Sequence, residues 1–204
     1  MIKNIFAFTL SAIILIIIAI ALYWQHIEPI PVVIQAGHEG RENGNTGAVS
    51  HGTQEVEWNT IVADQIAKKL QSWGIETKRV GATTQPLKAK IAVAIHFDGA
   101  KTPCSSGASV GYPNKKSKKL ANRWKKLYKK YFPFHWQKDN FTKNLSNYYA
   151  YYTIKAEKFL VLELGEITCK KERRWLKPRL KTIANLIAAT IATEFGLHPH
   201  INLK

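Results

Sequence analysis

Apolar positions along the chain fall into short uninterrupted runs and longer stepped series. Pro31-Val-Val-Ile-Gln-Ala36 is β-branched and closes on Gly37, which predicts a buried strand. Trp58, Val62, Ile66, Leu70 and Trp73 recur at steps of three and four, predicting an amphipathic helix over Glu55 to Trp73 that Gly74 stops. Ile75 to Val80, Ile91 to Phe97 and Ser109 to Tyr112 read as further strands. Lys115 to Tyr131 reads as a helix with Leu120, Trp124, Leu127 and Tyr128 on one side. Phe159 to Leu164 is a third buried strand, and Glu172 to Phe195 a closing helix capped by Gly196. Strands alternating with long helices predict a single α/β domain with a mostly parallel twisted sheet covered by helices on both faces.

Ahead of this domain, Ile5 to Trp24 is a run of twenty residues without a charge. A helix needs ~20 residues to cross a hydrocarbon core. Lys3 precedes the run and no Lys or Arg follows it until Arg41, so the positive-inside rule leaves the amino terminus in the cytoplasm. Residues 1–24 are expected to be an uncleaved transmembrane anchor, with Ala19-Ile20-Ala21 offering the competing reading of a cleaved signal. Residues 25–31, with Pro29 and Pro31, form a tether, and residues 32–204 the exported domain. The expected location is the bacterial inner membrane, single pass, with the domain in the periplasm or outside the cell.

Composition narrows the partners. Among 204 residues, 30 Lys+Arg stand against 14 Asp+Glu, a net charge of +16, which favours an anionic partner. Nine of the sixteen residues from Lys115 to Lys130 are basic. A solvated helix face explains that pattern as well as attraction to an anionic wall polymer or membrane surface does. No nucleic-acid-binding signature is present, and an exported domain makes nucleic acid an unexpected partner. The two cysteines form no CxxC pair, so a cysteine zinc finger is excluded. Cys104 and Cys169 each follow a strand end, and the two loops can meet as a disulfide in an oxidising compartment.

Three apolar strands each end in metal-site chemistry: Gly37-His38, His96 to Asp98, and Glu163. Glu55 opens the first helix after the loop that follows His38. Two histidines and a carboxylate make a three-ligand zinc site with one position open to water. A further carboxylate can then move protons, and Glu163, between Leu162 and Leu164, is the candidate. Burial there predicts a raised pKa.

The wording of these segments resembles the zinc-dependent N-acetylmuramoyl-L-alanine amidases of the amidase-3 type. The matching stretches are Val33 to His38, Glu55-Val-Glu-Trp-Asn59, Ala94-Ile-His-Phe-Asp98 and Leu160-Val-Leu-Glu-Leu-Gly165. The resemblance spans residues 32–196. It implies that His38, Glu55 and His96 hold zinc, that Glu163 is the catalytic carboxylate, and that peptidoglycan is the substrate. The bond implied is the amide between N-acetylmuramic acid and L-alanine.

Glu39, Asp98 and Glu166 depart from the family pattern, and Glu166 rivals Glu163 for the acid–base role. Glu57 is expected to point elsewhere on its helix. The aromatic stretches Phe132 to Trp136 and Tyr148 to Tyr152 either line a groove or simply pack, and His135 is expected at the surface. A zinc peptidase cutting within the stem peptide, and a non-catalytic binder of anionic polymer, are the alternative readings.

Overall fold

The computed structural model describes residues 13–18, 20 and 28–200. Most of the apolar run Ile5–Trp24, and all of the tether before Glu28, lies outside the described residues. Residues 13–18 and 20 are helical. Among the described residues no helix is long and apolar enough to cross a membrane.

The domain is built on a five-stranded sheet. Its strands are β1 (Ile30–Ala36), β4 (Thr77–Val80), β5 (Leu87–Asp98), β6 (Ala108–Gly111) and β7 (Ile154–Glu166), in the order β4-β1-β5-β7-β6. All neighbours run parallel except β6 against β7. A separate two-residue hairpin pairs β2 (Val49–Ser50) with β3 (Thr53–Gln54). The long helices are α1 (Glu55–Ser72), α2 (Lys115–Tyr131) and α6 (Leu180–Ala192). Single turns form α3 (Lys143–Ser146) and α4 (Ala150–Thr153), and α5 (Lys170–Leu176) follows β7.

The helical covering is unequal. Val32, Ile34, Ile95, Leu160 and Leu162 face one side of the sheet and share a core with Ile66, Trp124 and Ile187 of the three long helices. Val33, Ala92, Ala94, Phe159 and Val161 face the other side, where Leu145, Tyr148 and Ala150, with the partly buried Phe141 and Tyr151, cover them from the segment around α3 and α4. The expectation of helices on both faces therefore holds only coarsely. Alternating side chains of a strand buried on both sides are all apolar, so periodicity cannot show that one cover is thin.

Two predicted strands are longer than expected, because Lys88, Lys90, Lys155 and Lys158 carry β5 and β7 past the apolar core. The predicted closing helix is broken between α5 and α6 by a 3-10 turn at Lys177–Arg179. Pro178 lacks the N–H that would continue the ladder. Gly196 ends the last turn at φ +76°, as the sequence predicts.

Candidate metal centre and its cleft

The parallel strands bring their polar ends to one edge of the sheet, where such folds gather function. His38 lies in the turn after β1 at φ 66°, a left-handed conformation that aims its ring back over the strand ends. Glu55 is the first residue of α1 and is buried. His96 is near the end of β5 and pairs in register with Glu163 on β7. Ligand atoms of His38, Glu55 and His96 all lie within 4.8 Å of one another.

Glycines make this convergence possible. A Cβ on Gly37 would overlap the His96 ring, and one on Gly47 would overlap the Glu55 carboxylate and sit 2.8 Å from His38 Cδ2. Asn59, one turn along α1 from Glu55, donates to Glu55 Oε1 at 3.1 Å and to the Gly37 carbonyl at 3.0 Å. Ala48 N donates to Glu55 Oε2 at 2.9 Å.

The orientation of the two imidazoles decides what the cluster can bind. Tyr148 donates its hydroxyl proton to Gln35 Oε1 at 3.0 Å, so its oxygen accepts from His96 Nε2 at 2.9 Å. His96 Nδ1 is then left with a lone pair, 2.8 Å from Glu55 Oε1. His38 Nδ1 lies 3.2 Å from the Asn45 carbonyl, to which only an N–H can bond. Its Nε2 lone pair faces Glu55 Oε2 at 3.4 Å. Two imidazole lone pairs turned toward one carboxylate need a cation between them. This donor set of two nitrogens and an oxygen suits zinc, and the outer hydrogen bonds fix ring orientation as metal sites require.

The charges fit this arrangement. With a proton in the place of that cation, the burial that would raise the pKa of Glu55 is outweighed by the His96 hydrogen bond and the two imidazoles, which bring it down to about 2. Burial lowers the pKa of His38, favouring the neutral, metal-ligating form.

A cleft of about 660 Å³ opens over this cluster, lined in part by Arg41, Asp98, Tyr148, Tyr149 and Glu163. Glu163 is half-buried as a side chain, yet its Oε2 is sealed and lacks any hydrogen-bond partner. Desolvation first, then the carboxylates of Glu55 and Asp98, push its pKa well above the ordinary carboxylate range.

Glu166 does not line this cleft. It is fully buried, and its oxygens accept from the backbone N–H of Cys104 and of Ser106, each at 2.7 Å. It fastens the loop after β5, which the Cys104–Cys169 disulfide also ties to the end of β7. Gly165 at φ +145° and the register shift between His96 and Asp98 put Glu163 on the cleft wall and Glu166 behind it. Asp98 lines the cleft and accepts from Ser106 Oγ and from Gly99 N. Glu39 pairs with Arg79 of β4, holding the turn that carries His38. Glu57 and His135 are exposed.

Tyr148, Gln35 and Arg41 are site residues that sequence reasoning did not single out for these roles. The Tyr148–Tyr152 stretch was an ambiguous signal: Tyr148 and Tyr149 line the cleft, whereas Tyr151 packs on Phe159 and Tyr152 is exposed. Phe132 and Phe134 pack with Trp175. Gln35, inside an apolar strand, is the other readable hint, since a buried amide needs partners.

No match was found among curated protein sequences. Solved structures share the fold. The N-acetylmuramoyl-L-alanine amidase AmiC2 of Nostoc punctiforme superposes with a TM-score of 0.61 at 17% identity, over 82% of this chain and 98% of its own. An N-acetylmuramoyl-L-alanine amidase from Clostridium difficile 630 gives 0.60 at 20% identity, over 85% and 100%. A protein described as a putative N-acetylmuramoyl-L-alanine amidase from Neisseria meningitidis gives 0.62 at 18% identity, over 81% and 96%. The sequence profile of the N-acetylmuramoyl-L-alanine amidases (Amidase_3) matches residues 32–193. With nearly the whole described domain inside that match, the chain belongs to the N-acetylmuramoyl-L-alanine amidase family.

Proposed function

We propose that this protein is an exported, membrane-anchored zinc amidase that cleaves the amide between N-acetylmuramic acid and L-alanine in peptidoglycan. The observation that carries the reading is the pair of imidazole lone pairs directed at Glu55 beneath a cleft that also holds Glu163. His38, Glu55 and His96 would hold the metal. Bound zinc supplies the positive charge that polarises the scissile carbonyl and a water, and that eases ionisation of a neighbouring acid.

Glu163 accounts for the proton movements. Its environment keeps a proton on it in the absence of a cation, the form that can donate to a departing amine. Its place beside His96, on strands ~4.8 Å apart, puts the carboxyl within reach of a group held over the three ligands. Tyr148 fixes the His96 ring, and Asn59 and Ala48 fix the Glu55 carboxylate. The apolar run Ile5–Trp24 serves as the anchor in this reading.

Incubation of the full chain in detergent with purified peptidoglycan and zinc, followed by mass spectrometry of the soluble products, tests the proposal. Peptides with a free L-alanine amine, and glycan left intact, are expected. Fragments cut inside the stem would replace the amidase by a peptidase. Bound zinc without product would favour a polymer-binding role.

A further inference from the structure

The basic residues are not spread evenly, and the sheet register shows where they collect. Ile30, the first residue of β1, pairs with Ala89, which in turn pairs with Ala156. Lys88 and Lys90 flank Ala89, and Lys155 precedes Ala156. The row of strand starts at which the chain enters the domain is therefore a row of lysines. It is the edge opposite the one that carries His38, His96 and Glu163.

Helix α2 adds to the same end. Ser117 Oγ accepts from Phe159 N, and Tyr128 donates to the Leu164 carbonyl, so α2 runs parallel to β7 with its first turn toward the strand starts. Lys115, Lys116, Lys118 and Lys119 in that turn are all exposed. Ser117, in the middle of that turn, is level with Phe159, three strand residues or roughly 10 Å from the level of Ile30, so the four lysines stand about 7–13 Å from it. The exposed acids Glu28, Glu76 and Glu157 lie near this end as well, and Lys158 is neutralised by Glu194. Seven exposed or half-exposed lysines against three acids leave it cationic. No Asp or Glu occurs between Asp98 and Asp139.

We infer that this pole docks on an anionic lipid surface and thereby holds the cleft facing away from the membrane. The occupant follows from continuity: only three residues of sequence separate the apolar run Ile5–Trp24 from Glu28. Any bilayer that takes up this run meets the lysine pole first. Each lysine near an anionic leaflet strengthens attachment about 5-fold, and the effect fades beyond ~8–10 Å at physiological salt. The docking rests on the anchor reading and is independent of catalysis.

The test uses the full chain in vesicles of phosphatidylcholine, with and without phosphatidylglycerol, and reads acylation rates of individual lysines by mass spectrometry. With phosphatidylglycerol, Lys88, Lys90, Lys115, Lys116, Lys118, Lys119 and Lys155 should label about tenfold more slowly, and high salt should restore the rates. Lys101 and Lys138, beside the cleft end, should not change. In the variant Lys115→Gln, Lys116→Gln, Lys118→Gln, Lys119→Gln, labelling of Lys88, Lys90 and Lys155 should recover. Equal rates in the two vesicle types would overturn the inference, as would equal protection of Lys101 and Lys138. Protection by soluble teichoic acid but not by phosphatidylglycerol would overturn it in favour of a wall polymer. Peptide release from peptidoglycan in detergent reports separately on the amidase reading.

Discussion

Replacing Glu163 by glutamine separates chemistry from folding. Glutamine keeps the shape of the side chain but can neither take up nor release a proton. Loss of a positioned acid–base typically costs ~10²–10⁴ in rate, so peptide release should fall by about that factor while zinc stoichiometry stays at the parental value. Stability should move the other way. A carboxyl whose folded pKa is raised gives its full contribution below its unfolded value, ~4.3, and loses it as pH climbs through the folded value. Glu163 is such a group, with Oε2 sealed and unpartnered. Desolvating an unpaired polar atom costs ~1–3 kcal/mol. In zinc-free protein at alkaline pH, E163Q should then unfold about 4–8 °C above the parent, taking ~2 kcal/mol and ~2–4 °C per kcal/mol. The gap should close below pH 4. Peptide release would be read by mass spectrometry and unfolding by calorimetry across pH. Activity within about tenfold of the parent would refute the proton-transfer role. A Tm that is lower at every pH would refute the buried, proton-holding carboxyl.

Three further perturbations test the surrounding structure. Tyr148→Phe removes the hydroxyl that fixes the His96 tautomer, and zinc affinity measured against a chromogenic chelator should fall by ~10–100-fold with the fold retained; an unchanged affinity would remove Tyr148 from the site. Replacing both Cys104 and Cys169 by serine opens a link between residues 65 apart, which should cost about 4 kcal/mol, or roughly 10 °C in Tm. A loss below about 1 kcal/mol would show that Glu166 alone secures the loop. Burial raises the pKa of Glu172 to about 7, so the parent should lose stability relative to Glu172→Gln as pH rises from ~4.3 through 7. After allowing for solvent screening, the gap at pH 8 should be ~2 kcal/mol, read from denaturant midpoints.

Local sequence rules determined much of this protein. Stepped apolar residues placed α1 and α2, and β-branched runs placed the cores of β1, β5 and β7. Strand ends bearing His38, His96 and Glu163, with Glu55 opening a helix, marked the residues that meet in the candidate site, because side-chain chemistry at a strand end is a local property. Other features depend on partners distant in the chain. The sequence left Glu166 a rival to Glu163; the register of β5 on β7, shifted after His96, sends one carboxyl to the cleft and the other to two backbone amides behind it. Tyr148 reads as one aromatic among several until folding carries it across 52 residues to His96. The thin cover on one face of the sheet, and the meeting of Cys104 with Cys169, arise in the same way. Periodicity records which residues are buried, whereas only the packed chain decides what each buried group touches.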